Sequence, residues 1–139
     1  MLEYAYHASL LDATTITTAV SATATTPVKL AGFAKYAVVE AVFTYGSGGT
    51  TTKCWLQTTV DGTTWIDIAS LAFTTSTASK VSALSATVAL AAGVTPTDGT
   101  LADNTIVNGL LGSQFRLKYV TTGTYAGGTT LKVDAVFKG

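Results

Sequence analysis

Residues that carry chemistry are scarce in this chain. One histidine (His7), one cysteine (Cys54) and one arginine (Arg116) stand among 139 residues, beside eight acids. A Ser/His/Asp triad could draw only on His7, and no Gly-x-Ser-x-Gly elbow occurs, so nucleophilic hydrolysis is not expected. His7 has neither a second histidine nor a cysteine near it in sequence, so metal sites built from those ligands lack members. A lone cysteine excludes an intrachain disulfide, and Cys54, inside a strand-like run, reads as a small buried hydrophobe. No Gly-rich loop followed by Lys-Ser/Thr is present to cradle a phosphate. The eight basic residues are spread without a cluster, which removes the electrostatic footprint of a nucleic-acid binder. No apolar run reaches the length of a membrane span; the nearest, 81–94, is interrupted by Ser and Thr and contains Gly93. The opening Met1-Leu2-Glu3-Tyr4 lacks the basic region and apolar stretch of a signal peptide, so synthesis in a cytoplasm is expected. The resulting expectation is a non-enzymatic protein with no cofactor, no metal, no nucleic-acid partner and no membrane partner.

Charge is also in short supply: 12% of residues are charged, net charge is zero, and 47% are hydrophobic. Such a surface does little to repel a second copy, which points towards assembly and a homo-oligomer.

What is abundant is β-forming sequence. The chain centres on Cys54–Ala69, where two runs rich in β-branched and aromatic residues flank Asp61-Gly62, a turn signature. Both tryptophans, Trp55 and Trp65, lie here, so the centre of the core is expected at this hairpin. Two- and four-residue loops both fit, which leaves the register open. Tyr36–Thr44 is the most apolar strand candidate and reads as central and buried on both faces. Thr14–Val20, Ile66–Phe73 and Lys80–Leu90 supply further strands, the last two either whole or broken. In the final third, Phe115, Leu117 and Tyr119 alternate with Arg116 and Lys118, and Leu131, Val133, Ala135 and Phe137 with Lys132, Asp134 and Lys138. This period of two predicts a half-buried antiparallel hairpin. No segment has the length, cap and period of a helix. The expected fold is all-β, an antiparallel β-sandwich or jelly roll of about eight or nine strands.

Two segments stand apart. Residues 1–13 form an aliphatic and aromatic arm, preceding a single domain over 14–139. The arm reads equally as a first strand on its own domain or as an extension onto a neighbouring subunit. Gly93–Gly112 is dense in turn signals yet carries Ile106, Val107, Leu110 and Leu111, which something must bury. Candidate subunit or shell contacts are therefore Leu2, Tyr4, Tyr6, Leu10 and Leu11 of the arm, with those four residues of the loop.

Two other chemistries have candidate residues. Asp61 and Asp67 flank Trp65 and could suggest an acid pair for glycoside hydrolysis, but Asp61 is better explained as a turn residue. Trp55, Trp65, Tyr45 and Tyr125 could stack on sugars in a carbohydrate-binding β-sandwich. Thr59–Trp65 approaches the Asp-box turn of sialidases, though glycine follows the aspartate directly, the motif occurs once, and Arg116 has no companion arginine.

Three stretches, Leu56–Ala69, Thr97-Asp98-Gly99-Thr100-Leu101, and Arg116-Leu117-Lys118-Tyr119 through Thr122-Gly123-Thr124-Tyr125, carry a resemblance spanning residues 50–139. The chain resembles the small Thr/Ala/Gly-rich β proteins encoded among the structural genes of tailed bacteriophages. That resemblance implies a virion component, foremost a capsid decoration (cement) protein and otherwise a tail or fibre component. Implied partners are the major capsid protein or other virion proteins, with a trimer or dimer as the oligomer.

Overall fold

The computed structural model describes residues 5–17, 23–30, 34–90 and 92–139. Its strands are β1 (Ala5–Thr15), β2 (Thr23–Ala24), β3 (Val28–Lys29), β4 (Tyr36–Thr44), β5 (Ser47–Gly48), β6 (Thr51–Thr59), β7 (Trp65–Phe73), β8 (Ala78–Ser85), β9 (Gln114–Thr122), β10 (Tyr125–Ala126) and β11 (Thr130–Lys138). Pairing is antiparallel throughout these strands, and the protein is all-β, as its sequence pattern indicates. Sheet A runs β1-β11-β4-β8. Sheet B runs β2-β9-β6-β7, with β3 also on β9. Among the described residues seven strands have eight or more residues and four have only two, so the expected eight or nine falls between the long set and this total.

The two sheets enclose one core. From sheet A come Leu10, Val39, Phe43, Leu84, Leu131, Val133 and Phe137; from sheet B come Leu56, Ile68, Leu71, Phe73, Phe115 and Leu117. Aromatic pairs tie the sheets together, Phe43 to Phe73 at 5.2 Å and Phe115 to Phe137 at 4.4 Å between centroids. These rings, and not the tryptophans, form the aromatic core: Trp55 and Trp65 are absent from the central cluster.

β6 and β7 form the expected hairpin, but with a five-residue loop, Val60–Thr64, between paired Thr59 and Trp65. The Asp61 carboxylate accepts the N–H groups of Thr63 and Thr64 and the Thr59 hydroxyl, which folds the loop tightly around Gly62. Backbone hydrogen bonds from Thr64 and Thr63 hold that carboxyl well below its ordinary range. β7 is continuous, with a bulge that places Ile68 opposite no residue, between the pairs Leu56–Ala69 and Gln57–Asp67.

The expected C-terminal hairpin is not one. β9 belongs to sheet B and β11 to sheet A, so residues 123–129 arch across the sandwich instead of turning within a sheet. Alternation is the same in both cases, because either arrangement buries one face of each strand. Tyr125 decides between them. It plugs the end of the core, 1% exposed, with its hydroxyl donating to Thr74 C=O at 2.8 Å. A second arch, residues 45–50, pairs with the first through β5 and β10.

Of the two readings of the arm, residues 5–15 follow the first, one strand hydrogen-bonded to β11 of its own domain. Of the expected strand over 14–20, Thr14 and Thr15 end β1, Ile16 and Thr17 are not strand, and residues 18–20 lie outside the described residues, as do Leu2 and Tyr4. Lys80–Leu90 contributes one strand, ending at Ser85.

Candidate functional site

β4 is central in its sheet, yet its burial alternates, because its outer face is open. β6 and β7 are the strands buried on both faces. The segment 97–107 explains the contrast. It lies across the outer face of sheet B and along the free edge of β7.

Asp67 is the centre of this docking. Its carboxylate accepts hydrogen bonds from the N–H groups of Gly99, Thr100 and Leu101, from the Thr97 hydroxyl, and from Gln57 Nε2. Three successive amides converging on one carboxylate form an anion nest, made possible by Gly99 at φ 89°. Gln57, fully buried, also donates to Asp98 Oδ1 at 2.7 Å, and its carbonyl accepts Arg116 Nε at 2.7 Å. Lys118 Nζ reaches both the Asp98 carboxylate, at 2.9 Å, and its backbone carbonyl, at 3.1 Å. Burial pushes the Asp98 carboxyl up, but Lys118, Gln57 and Arg116 outweigh it and hold the group below its ordinary value. Burial lowers the Arg116 guanidinium, opposed by Asp98 and Asp67. Two acids face two bases, so the network is neutral.

Trp55 is buried in the same layer, its indole N–H donating to Leu101 C=O at 3.1 Å. Trp65 is stacked under Arg116, whose guanidinium carbon lies 4.3 Å from the ring centroid. The edge of β7 is closed by backbone bonds from Asp67 N to Thr97 O, Ser70 N to Thr105 O and Val107 N to Ile68 O. An isolated bridge joins Ala69 to Ile106. Beside the docked segment lies an open groove of about 540 Å³ lined by Lys53, Trp55, Leu101, Asp103 and several threonines. Its charged lining is one ion pair, Lys53 with Asp103 at 3.1 Å.

These arrangements assign the candidate catalytic and sugar-stacking residues to the scaffold. Asp61 shapes a turn and Asp67 holds a loop. Trp55 and Tyr125 are buried, and Tyr45 packs on Phe43 and Tyr125 with its hydroxyl on Gly48 C=O. Cys54 is fully buried, and desolvation pushes its thiol up to about 12 against the opposing charge of Lys80. Among the described residues no group of three His, Cys, Asp or Glu is placed to hold a metal ion.

The candidate contact residues are dispersed. Leu10 is core and Leu11 packs against it; Tyr6 alone of the described arm residues is an exposed large apolar side chain, at 40%. Leu110 and Leu111 pack on the domain's own core, Val107 is half-buried, and Ile106 remains 43% exposed. The loop is thus covered from below by its own sheet.

The surface that residue-by-residue reading missed is the outer face of sheet A. Tyr36, Val38, Val42, Val81 and Val136 face outward from β11, β4 and the edge strand β8, with Glu40, Lys132, Asp134 and Lys138 among them. His7 Nε2 meets Asp134 Oδ1 at 3.1 Å, and Lys132 lies 3.6 Å from the same carboxylate. A shallow depression of about 380 Å³ between His7, Val38, Val81 and Val136 marks its middle. On β4 that face reads Tyr36, Val38, Glu40, Val42 and Thr44, a mixture that does not distinguish an open face from a covered one.

Comparison with protein-family models, with curated proteins and with solved structures finds no match.

Proposed function

We propose that the protein is a non-enzymatic structural component of a larger assembly, foremost a decoration protein that binds and stabilises the head shell of a tailed bacteriophage. The observation that carries this reading is the open outer face of sheet A. It leaves Tyr36, Val38 and Val81 exposed, interspersed with Glu40, Lys132, Asp134 and Lys138, while the equivalent face of sheet B is sealed by the protein's own loop. A surface of that kind binds by shape and by removal of apolar area from water, with no reaction required. The compensated network on sheet B agrees with it, since Asp67, Asp98, Arg116 and Lys118 are each held by a named partner. The phage assignment adds the sequence resemblance over residues 50–139.

Cosedimentation tests the reading. The purified protein is mixed with empty head shells of the capsid protein encoded in the same genome, and in parallel with tails. Saturable binding to heads, lost in Val38→Asp and Val136→Asp variants that melt normally, is the expected result. Binding to tails alone would assign it to the tail, and binding to neither would overturn the virion reading.

A further inference from the structure

Sheet edges are templates for unwanted pairing, and folded proteins blunt them with bulges, charges, very short strands or covering loops. Most edges here are blunted. β1 carries register shifts between Ser9 and Leu11 and between Leu11 and Thr14. β7 is covered by 97–107. β9 is flanked by the two-residue β2 and β3. β8 is long and unbulged, and a loop meets its outer edge only at Ser85. Its eight residues pair with β4 in unbroken register from Tyr36–Ser85 to Phe43–Ala78, without proline or bulge.

The direction of its backbone groups follows from one end. Ser85 donates its N–H to Asn108 Oδ1 at 2.6 Å and accepts the Gly109 N–H at 2.8 Å, so both its groups turn away from β4. In an antiparallel ladder alternate residues turn both groups the same way. Ala83, Val81 and Ser79 therefore present N–H and C=O to the free edge, where no described residue meets them. The single charge on the strand does not guard it. Lys80 is drawn back towards sheet B, its ammonium bonded to Ala72 C=O and to Asn104 Oδ1 and lying 5.2 Å from the Phe73 ring centroid. Alongside is an open depression of about 320 Å³ bounded by Leu71, Lys80, Val81, Ser82 and Asn104, which leaves space beside the edge.

We infer that the β8 edge is a self-association site, at which a second copy of this chain adds its own β8 antiparallel about a two-fold axis at Val81. That register sets Val81 against Val81 of the second copy and Ser79 against Ala83. Every free group is then used on both edges, for about six main-chain hydrogen bonds. The side chains at the seam are small or β-branched, and a net charge of zero leaves no overall repulsion between copies. Ser85, already capped by the loop, ends the paired stretch on each side. The result is a continuous eight-stranded sheet that places two open outer faces side by side. The inference rests on edge geometry alone and is independent of shell binding.

Sedimentation velocity on the full chain across a concentration series tests it, with Val81→Pro and Ala83→Lys as variants. The Val81 N–H faces away from β4, so proline there removes an edge donor without removing a ladder bond. The expected result is a reversible dimer of twice 14.2 kDa for the parent, at least tenfold weakened in both variants, with unchanged melting. Hydrogen exchange on the parent supplies a readout that needs no variant: the Ser79, Val81 and Ala83 amides should slow as concentration rises. A parent that stays monomeric overturns the inference while leaving the cosedimentation result intact. A dimer whose β8 amides exchange equally at all concentrations overturns it as well, because association then uses another surface.

Discussion

The two sheets of this sandwich share a core and differ in what they do with their outer faces. Sheet B invests polar side chains there, Gln57, Asp67, Arg116 and Lys118, and spends them on holding a loop from the same chain. Sheet A leaves Tyr36, Val38 and Val81 exposed on its outer face, among Glu40, Lys132, Asp134 and Lys138, with no segment of the described chain laid over them. The difference separates stability from association. A polar residue on a covered face is satisfied by fixed partners and becomes expensive to remove, whereas an apolar residue on an open face costs little to change and is free to meet something else.

The largest expected effect comes from the covered side. Trp55→Ala removes a large side chain from beneath the loop and should cost about 3–5 kcal/mol in urea unfolding. Tyr36→Ala on the open face should cost under about 1 kcal/mol; equal losses would erase the distinction. Asp67→Ala comes next, at about 3 kcal/mol, since it strips three backbone amides of their acceptor. Limited proteolysis should then cut within 97–107, and an uncut loop would show that packing alone holds it.

Two pH windows sharpen the same contrast. The raised Cys54 thiol remains protonated in the fold while the unfolded chain ionises, so stability should fall as pH climbs from about 9 towards 12. Cys54→Ala should flatten its share of that decline, and the native thiol should resist alkylating reagents until the chain unfolds. For Asp98 the sign reverses. Its folded value is depressed, so its contribution is present above the ordinary carboxyl value and lost as pH falls through the folded one. Wild type and Asp98→Asn should therefore converge in thermal melts at low pH, and a gap that persists there would mean the charge is not what matters. The smallest effect belongs to the open face: Val38→Thr should change stability by no more than about 0.5 kcal/mol.

Much of the architecture could be read from residue order. Asp61-Gly62 marks its turn because a short acid beside a residue free to take positive φ is a local device, and Gly62 has φ 84°. Alternation in Phe115–Tyr119 and Leu131–Lys138 correctly names which residues face inward, since one buried face imposes a period of two wherever the strand lies. The same alternation mistook an arch for a hairpin. The apolar character of Tyr36–Thr44 likewise suggested a doubly buried strand, because such a run reads the same whether its outer face is covered or open.

Local chemistry, then, determined the β class, the turns and the inward faces. Tertiary structure decided the partition of strands between sheets, the closure of one outer face by residues 97–107, and the bareness of the other. Those outcomes depend on contacts between residues distant in the chain, such as Asp67 with Gly99 and Tyr125 with Thr74, and no local pattern encodes which surface a distant segment will cover.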